Sequence, residues 1–107
     1  MHNSDTVWIV DDDKSIRWVL DKAFKKASIA CKSFSNARSL VDALKIETPN
    51  ALITDIRMPG MDGFELLKKV QLSHPDLPII VMTAHSDLDS AVSAFHGGAF
   101  EYLPKPF

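Results

Sequence analysis

The sequence predicts an α/β fold in one domain, residues 1–107, built on a doubly wound parallel sheet of five strands. Three observations carry that prediction. Short apolar runs alternate along the chain with segments of helical period, in a (βα)4β pattern. The runs are mostly continuous, as in parallel strands covered on both faces. Polar or reactive residues stand at the ends of most of them, where ligands gather in open α/β sheets.

Taken in order, Val7 to Val10 is rich in β-formers and runs into Asp11, Asp12 and Asp13. Ile16, Val19, Leu20, Ala23, Phe24 and Ala27 then recur at three- and four-residue steps. They mark one face of a helix, with Ser15 or Asp13 available as its N-cap. Ala30 to Phe34 reads as a second strand. Ala37, Leu40, Val41 and Leu44 give a second helix, ended by Thr48-Pro49 because the residue before proline disfavours the helical region. Ala51 to Thr54 is a third strand that runs into Asp55. Phe64, Leu66, Leu67 and Val70 mark a third helix, with Asp62 as a candidate N-cap and Pro75 and Pro78 bracketing its exit. Ile79 to Met82 is the most apolar strand and runs into Thr83. Leu88, Ala91, Val92 and Phe95 make a fourth helix closed by Gly97-Gly98. Phe100 to Leu103 is the fifth strand, and Lys105 follows it.

Composition bounds the function. A chain of 107 residues with 46% hydrophobic content builds one core. The formal charge of -2 gives no electrostatic footprint for nucleic acid or an anionic membrane. The longest apolar runs are four or five residues, far short of a membrane span. Met1 to Asp5 lacks the basic and apolar regions of a signal peptide. Cys31 is the single cysteine, so no internal disulfide forms, and a reducing cytoplasm is the natural compartment.

In a parallel sheet the strand ends project toward one edge. That edge would gather the carboxylates of Asp11, Asp12 and Asp55, the hydroxyl of Thr83 and the ammonium of Lys105. Clustered carboxylates repel, so such a site takes up a cation or a proton. All-oxygen ligands with room for water suit Mg²⁺, which binds through one or two carboxylates plus a phosphate. A carboxylate is also a nucleophile toward phosphorus, giving an aspartyl-phosphate. The transferring group spreads negative charge over its oxygens, which a metal, a lysine and a hydroxyl donor would stabilise. Singly, each residue has a plainer explanation: a loop or cap acid, a turn aspartate, a β-forming threonine, a solvated lysine. Their joint placement at strand ends argues against coincidence.

Other chemistries fit less well. His2, His74, His85 and His96 have no metal-ligand spacing and read as surface residues. The glycines, at 60, 63, 97 and 98, form no phosphate-binding loop. Ser86 and Ser90 lie in no nucleophile motif. Trp8 and Trp18 are expected to be packing residues.

The segments VWIVDDDKSIRWVL, LITDIRMPGMDGFELL, IIVMTAHSD and GAFEYLPKPF resemble the receiver domains of two-component response regulators. The likeness covers essentially the whole chain and is strongest to receivers of the NtrC group of σ54-dependent nitrogen-regulation activators. It implies a flavodoxin/CheY-like sheet in the order 2-1-3-4-5. It also implies that Asp55 is the phosphoacceptor. Asp12 would bind Mg²⁺ directly, Asp11 through water, and the backbone carbonyl of Arg57 would complete the protein ligands. Thr83 would hydrogen-bond the phosphoryl group and Lys105 would contact it as a cation. Tyr102 holds the aromatic switch position, coupled to Thr83, and Asp13 is assigned a capping role. The donor would be a phosphohistidine on a sensor histidine kinase, and the domain, a regulatory module, would catalyse its own phosphorylation and dephosphorylation. Output ATPase and DNA-binding domains would belong to the full-length protein. The Lys105-Pro106 bond is expected to be cis.

Receivers continue past the KPF segment into a fifth helix, which lies outside this sequence, so the resemblance implies an excised domain. One face of the sheet is then expected to be uncovered and open to self-association, with Trp8 or Val10, Ile53, Val81 and Leu103 as the residues from which it would be drawn. Two other functions are weighed. A pseudo-receiver, an interaction module that carries no phosphate, would lack Asp55, Lys105 or one of the acid pair, and all are present. An aspartyl phosphohydrolase would need a second acid close after its nucleophile and a covering cap, whereas Arg57 follows Asp55 by two residues.

Overall fold

The computed structural model describes residues 6–56, 58–83 and 101–104; for Thr83 and residues 101–104 the description is of the backbone. Arg57, the expected fourth helix, Lys105 and the Lys105-Pro106 bond lie outside the described residues. In chain order the elements are β1 Thr6–Val10, α1 Lys14–Lys26, β2 Ala30–Phe34, α2 Ala37–Leu44, β3 Ala51–Asp55, α3 Gly63–Ser73, β4 Ile79–Thr83 and β5 Glu101–Pro104. The strands form one sheet in the order β2-β1-β3-β4-β5. Every neighbouring pair is parallel. The doubly wound architecture is thus the one the alternating pattern predicts.

Two packed layers follow from the period of two along each strand. Trp8, Val10, Leu52, Ile79 and Val81 point to one face, where α2 lays Ala37, Leu40 and Leu44 and α3 lays Leu66, Leu67 and Val70. Ile9, Ile53 and Met82 point to the other, against Ile16, Leu20 and Phe24 of α1. This corrects the expected uncovered face. Trp8, Val10 and Val81 belong to the layer under α2 and α3, and only Ile53 of the described candidates faces α1. Ile53 is itself 4% exposed, so these positions present no open apolar patch. The side chain of Leu103 lies outside the described residues.

The helix ends are set by local polar chemistry. Asp13 caps α1 by accepting the Ser15 N–H at 2.8 Å. Asn36 caps α2 through the Ser39 N–H at 2.9 Å, and Asp62 caps α3 through the Glu65 N–H at 2.9 Å. Each satisfies one of the amides that the first turn leaves without a helical partner. At the far end of α1, the Ser28 N–H donates to the Lys25 carbonyl at 3.0 Å and the Ile29 N–H to the Phe24 carbonyl at 2.9 Å. That is a Schellman closure, which requires a left-handed residue, and Ser28 supplies it at φ 63°. The second helix stops at Leu44, earlier than Thr48-Pro49 suggested. Its exit tightens into a turn, with the Ile46 N–H bonded to the Ala43 carbonyl at 3.0 Å. The chain then crosses so that Asn50 takes the Thr6 N–H on its side chain at 2.7 Å and returns its own N–H to the Thr6 carbonyl at 2.8 Å. Those bonds set the start of β3 beside β1.

Exposure separates the centre of the sheet from its rim. β2 is the outermost strand on one side, and only Cys31 and Phe34 along it are partly buried. Its Lys32 pairs with Glu47 at 2.6 Å; both are more than half exposed, so the pair contributes only about 0–1 kcal/mol, and the charge discourages edge pairing. Trp18 is 60% exposed on α1, against the expectation that it packs. The Lys22 ammonium lies 4.7 Å from its ring centroid, an exposed cation–π contact worth roughly 0.5–1 kcal/mol. No helix among the described residues is long and apolar enough to cross a membrane.

Two outcomes follow from these local features. Ser28→Gly removes a left-handed penalty of roughly 1–2 kcal/mol but frees the unfolded chain by about 0.4–1 kcal/mol. The net gain in urea denaturation is expected to be on the order of 0.5–1 kcal/mol. The Cys31 thiol is pushed up to about 11 from a usual 9.0, by burial first and the Asp21 charge second. A raised value means the folded state favours the neutral thiol. The contribution is therefore fully present below pH 9.0 and is lost as pH rises toward about 11. Urea midpoints of wild type and Cys31→Ser should show a steeper fall for wild type across that window.

Candidate functional site

The site is assembled by register. Val10 of β1 pairs with Thr54 of β3, so Asp11 leaves β1 beside Asp55, the last residue of β3. Asp55 pairs with Met82, which places Thr83 at the same edge on the next strand. Thr83 in turn pairs with Pro104, the residue before Lys105, and Tyr102 pairs with Val81 two residues deeper in the sheet. The structure thus brings Asp11, Asp12, Asp55 and the backbone of Thr83 to one edge. Arg57, Lys105 and the side chains of Thr83 and Tyr102 lie outside the described residues.

Asp11 is held through both its backbone and its carboxylate. It is fully buried. Its N–H donates to the Phe34 carbonyl at 3.1 Å, which extends the β1–β2 ladder by one residue. Its Oδ1 accepts the Asp13 N–H at 2.9 Å, and its carbonyl accepts from Arg17 Nη1 at 2.5 Å. Asp12, between this anchor and the capping Asp13, is exposed. Asp55 is 8% exposed, and the Thr54 hydroxyl donates to its carbonyl at 3.0 Å.

One carboxylate oxygen from each of Asp11, Asp12 and Asp55 lies within 4.8 Å of the others. At about 4 Å, two unit charges repel by roughly 1 kcal/mol in water and about 4 kcal/mol at a protein surface. Such a cluster is stabilised by a small hard cation. Two buried carboxylates and one exposed one give oxygen donors on one side and solvent on the other, the donor set that Mg²⁺ accepts while keeping several waters. The residues present therefore fit the ion.

The loop after Asp55 is shaped by two glycines. Gly60 follows Pro59 at φ 80°, in the left-handed region that favours glycine. Gly63 opens α3, and its N–H donates to the Ile56 carbonyl at 2.8 Å. A Cβ there would collide with the Asp55 carbonyl oxygen and lie 2.7 Å from the Ile56 Cα. The backbone of Asp55 and Ile56 and the entry of α3 are thus in contact only because residue 63 has no side chain. Sequence reasoning assigned no role to Gly63 or to Arg17. The available signals were the glycine directly after the capping Asp62 and an arginine one helical turn after Asp13.

A doubly wound parallel sheet with three acids gathered at its carboxyl edge defines the class: a flavodoxin-like α/β domain, a fold in which ligands bind beyond the carboxyl ends of the strands. The chain belongs to the response regulator receiver domain family, whose model matches residues 7–107. It is 59% identical over 101 residues to the DNA-binding transcriptional regulator NtrC of Escherichia coli K12, covering 94% of this chain and 22% of the relative. It is 36% identical to the C4-dicarboxylate transport transcriptional regulatory protein DctD of Rhizobium meliloti, covering 100% of this chain and 23% of that one. The chain thus spans about a fifth of the length of these relatives. Among solved structures, the BeF3-activated receiver domain of nitrogen regulatory protein C superposes with a TM-score of 0.83 at 57% identity, over 99% of this chain and 86% of that one. Full-length FixJ from B. japonicum gives 0.91 at 35% identity, over 99% and 52%.

Gly63→Ala must move either α3 or the Asp55 backbone. Overpacking of this kind costs about 1–3 kcal/mol. Urea denaturation should show that loss, and phosphorylation by acetyl phosphate should slow even where the variant is fully folded.

Proposed function

We propose that this chain is the phosphoacceptor switch of a two-component system, spanning residues 1–107, with Asp55 as the residue phosphorylated. The observation that carries the reading is the cluster itself. A nearly buried carboxylate at the end of the central strand lies within 4.8 Å of two other acids at the carboxyl edge of the sheet. The family match and the NtrC- and DctD-type relatives support the same reading.

In the proposed reaction a carboxylate oxygen of Asp55 attacks the phosphorus of a phosphohistidine on a sensor histidine kinase. The P–N bond breaks, the histidine nitrogen takes the leaving electron pair, and an acyl phosphate forms. Asp12 and Asp55 would hold Mg²⁺ directly, Asp11 through water, with the Arg57 carbonyl as a further ligand. The ion supplies charge stabilisation for the transferring group. Lys105 would add a second cation at the phosphoryl oxygens, and Thr83 a hydroxyl donor. Hydrolysis of the acyl phosphate in the same site would reset the switch. Movement of Thr83 toward the phosphoryl group would bias Tyr102 between two positions, a shift between existing states. In a longer protein the switch would regulate ATPase and DNA-binding output domains in the cytoplasm, in keeping with the transcriptional-regulator names of the relatives. The receiver itself would contact neither nucleic acid nor membrane.

Incubation with Mg²⁺ and acetyl phosphate, followed by intact mass, tests the assignment. One acid-labile phosphoryl group per chain is expected in wild type and none in Asp55→Asn. Undiminished labelling of Asp55→Asn, or equal rates with Mg²⁺ and with excess chelator, would refute it.

A further inference from the structure

Arg17 reaches from α1 back to the backbone of Asp11, one of the three clustered acids. It lies on α1, one turn after the Asp13 cap, and its N–H donates to the Asp13 carbonyl at 3.2 Å in the first helical bond. Its guanidinium turns back over that turn, and Nη1 donates to the Asp11 carbonyl at 2.5 Å. The side chain is only partly exposed. Asp11 is thereby held at three points: its N–H by Phe34, its carboxylate by the Asp13 N–H and its carbonyl by Arg17. The carbonyl of Asp11 belongs to the peptide that leads into Asp12. Fixing it fixes the direction in which the exposed Asp12 leaves the strand.

We infer that Arg17 is a positioning residue for the cation site. It clamps the β1–α1 loop so that Asp12 is presented to Asp55 before any ion arrives. Charge-assisted bonds from arginine are stronger than neutral ones, and groups that orient metal ligands commonly alter affinity by tenfold or more when removed. The inference rests on the reading of the acid triad as a Mg²⁺ site.

The sign of one measurement separates this role from that of a nearby charge. Arg17 brings a permanent positive charge to the loop, and deleting a neighbouring cation would by Coulomb's law tighten Mg²⁺ binding. Loss of a clamp weakens it. MgCl2 titration of the ¹⁵N-labelled chain, following the Asp12 and Asp13 amides, reads the affinity without any turnover. Arg17→Met is expected to weaken Mg²⁺ binding on the order of tenfold. Arg17→Lys, which keeps a charge and a donor on a flexible stem, should recover part of it. Unchanged or tighter Mg²⁺ binding by Arg17→Met overturns the inference. If wild type also fails to bind Mg²⁺, the reading of the site falls with it. Should Arg17→Met unfold, Arg17→Gln takes its place under the same criteria.

Discussion

Mutual repulsion among three carboxylates is the constraint around which this edge of the molecule is built. Asp11, Asp12 and Asp55 present oxygens within 4.8 Å of one another, and two of the three are buried. Nothing in water would bring them together, since each pair opposes approach. The sheet does it. Parallel pairing of β1 with β3, in a register that sets Val10 against Thr54, leaves Asp11 and Asp55 as neighbours whatever their charge. Burial of Trp8, Ile9, Val10, Leu52 and Ile53 holds that register. Slipping it by one residue would exchange the two core faces. The repulsion is thus carried by the hydrophobic core and offset when a cation binds.

The supporting structure is consistent with that division of labour. The central strand β3 and the carboxyl half of β1 are buried, while β2 is mostly exposed and carries a lysine on its edge. The turn that bears Asp11 and Asp12 is restrained by short-range polar bonds, whereas the segment after Asp55 is also held by packing, with Ile56 and Met58 buried in the core under α2 and α3. Asp13 serves both as the α1 cap and as a donor to Asp11 through its backbone, and Gly63 lets α3 begin against the end of β3. The site is buried at its base, at Asp11 and Asp55, and open to solvent at Asp12.

Much of this was legible in the chain. The strands are placed to within about a residue because their apolar runs are short and bounded by acids, prolines and glycines. Asp13 and Asp62 are readable as caps because a short polar residue precedes an apolar helical period. The end of α2 is less readable. Proline at 49 marks where a helix must have stopped, while the pairing of Asn50 with Thr6 decides where it does stop. The stripe on α1 is overestimated for the same kind of reason. Ile16, Leu20 and Phe24 pack, whereas Val19, Ala23 and Ala27 are left exposed, because a helix lying on a sheet buries a narrower face than its apolar residues could cover.

By itself the sequence determined the element types, the parallel sheet and the identity of the acids at the strand ends, since these depend on local propensity, period and polarity. It could not determine which face each strand residue takes, because a period of two leaves the choice between the faces open until helices dock. Trp8, Val10 and Val81 against α2 and α3, with Ile9, Ile53 and Met82 against α1, is that choice made. Nor could it show the Arg17 clamp on Asp11 or the contact that forbids a side chain at Gly63. Both join residues that are six to eight positions apart, across a turn, at distances set by where a helix enters against a strand. Only tertiary packing brings those atoms together.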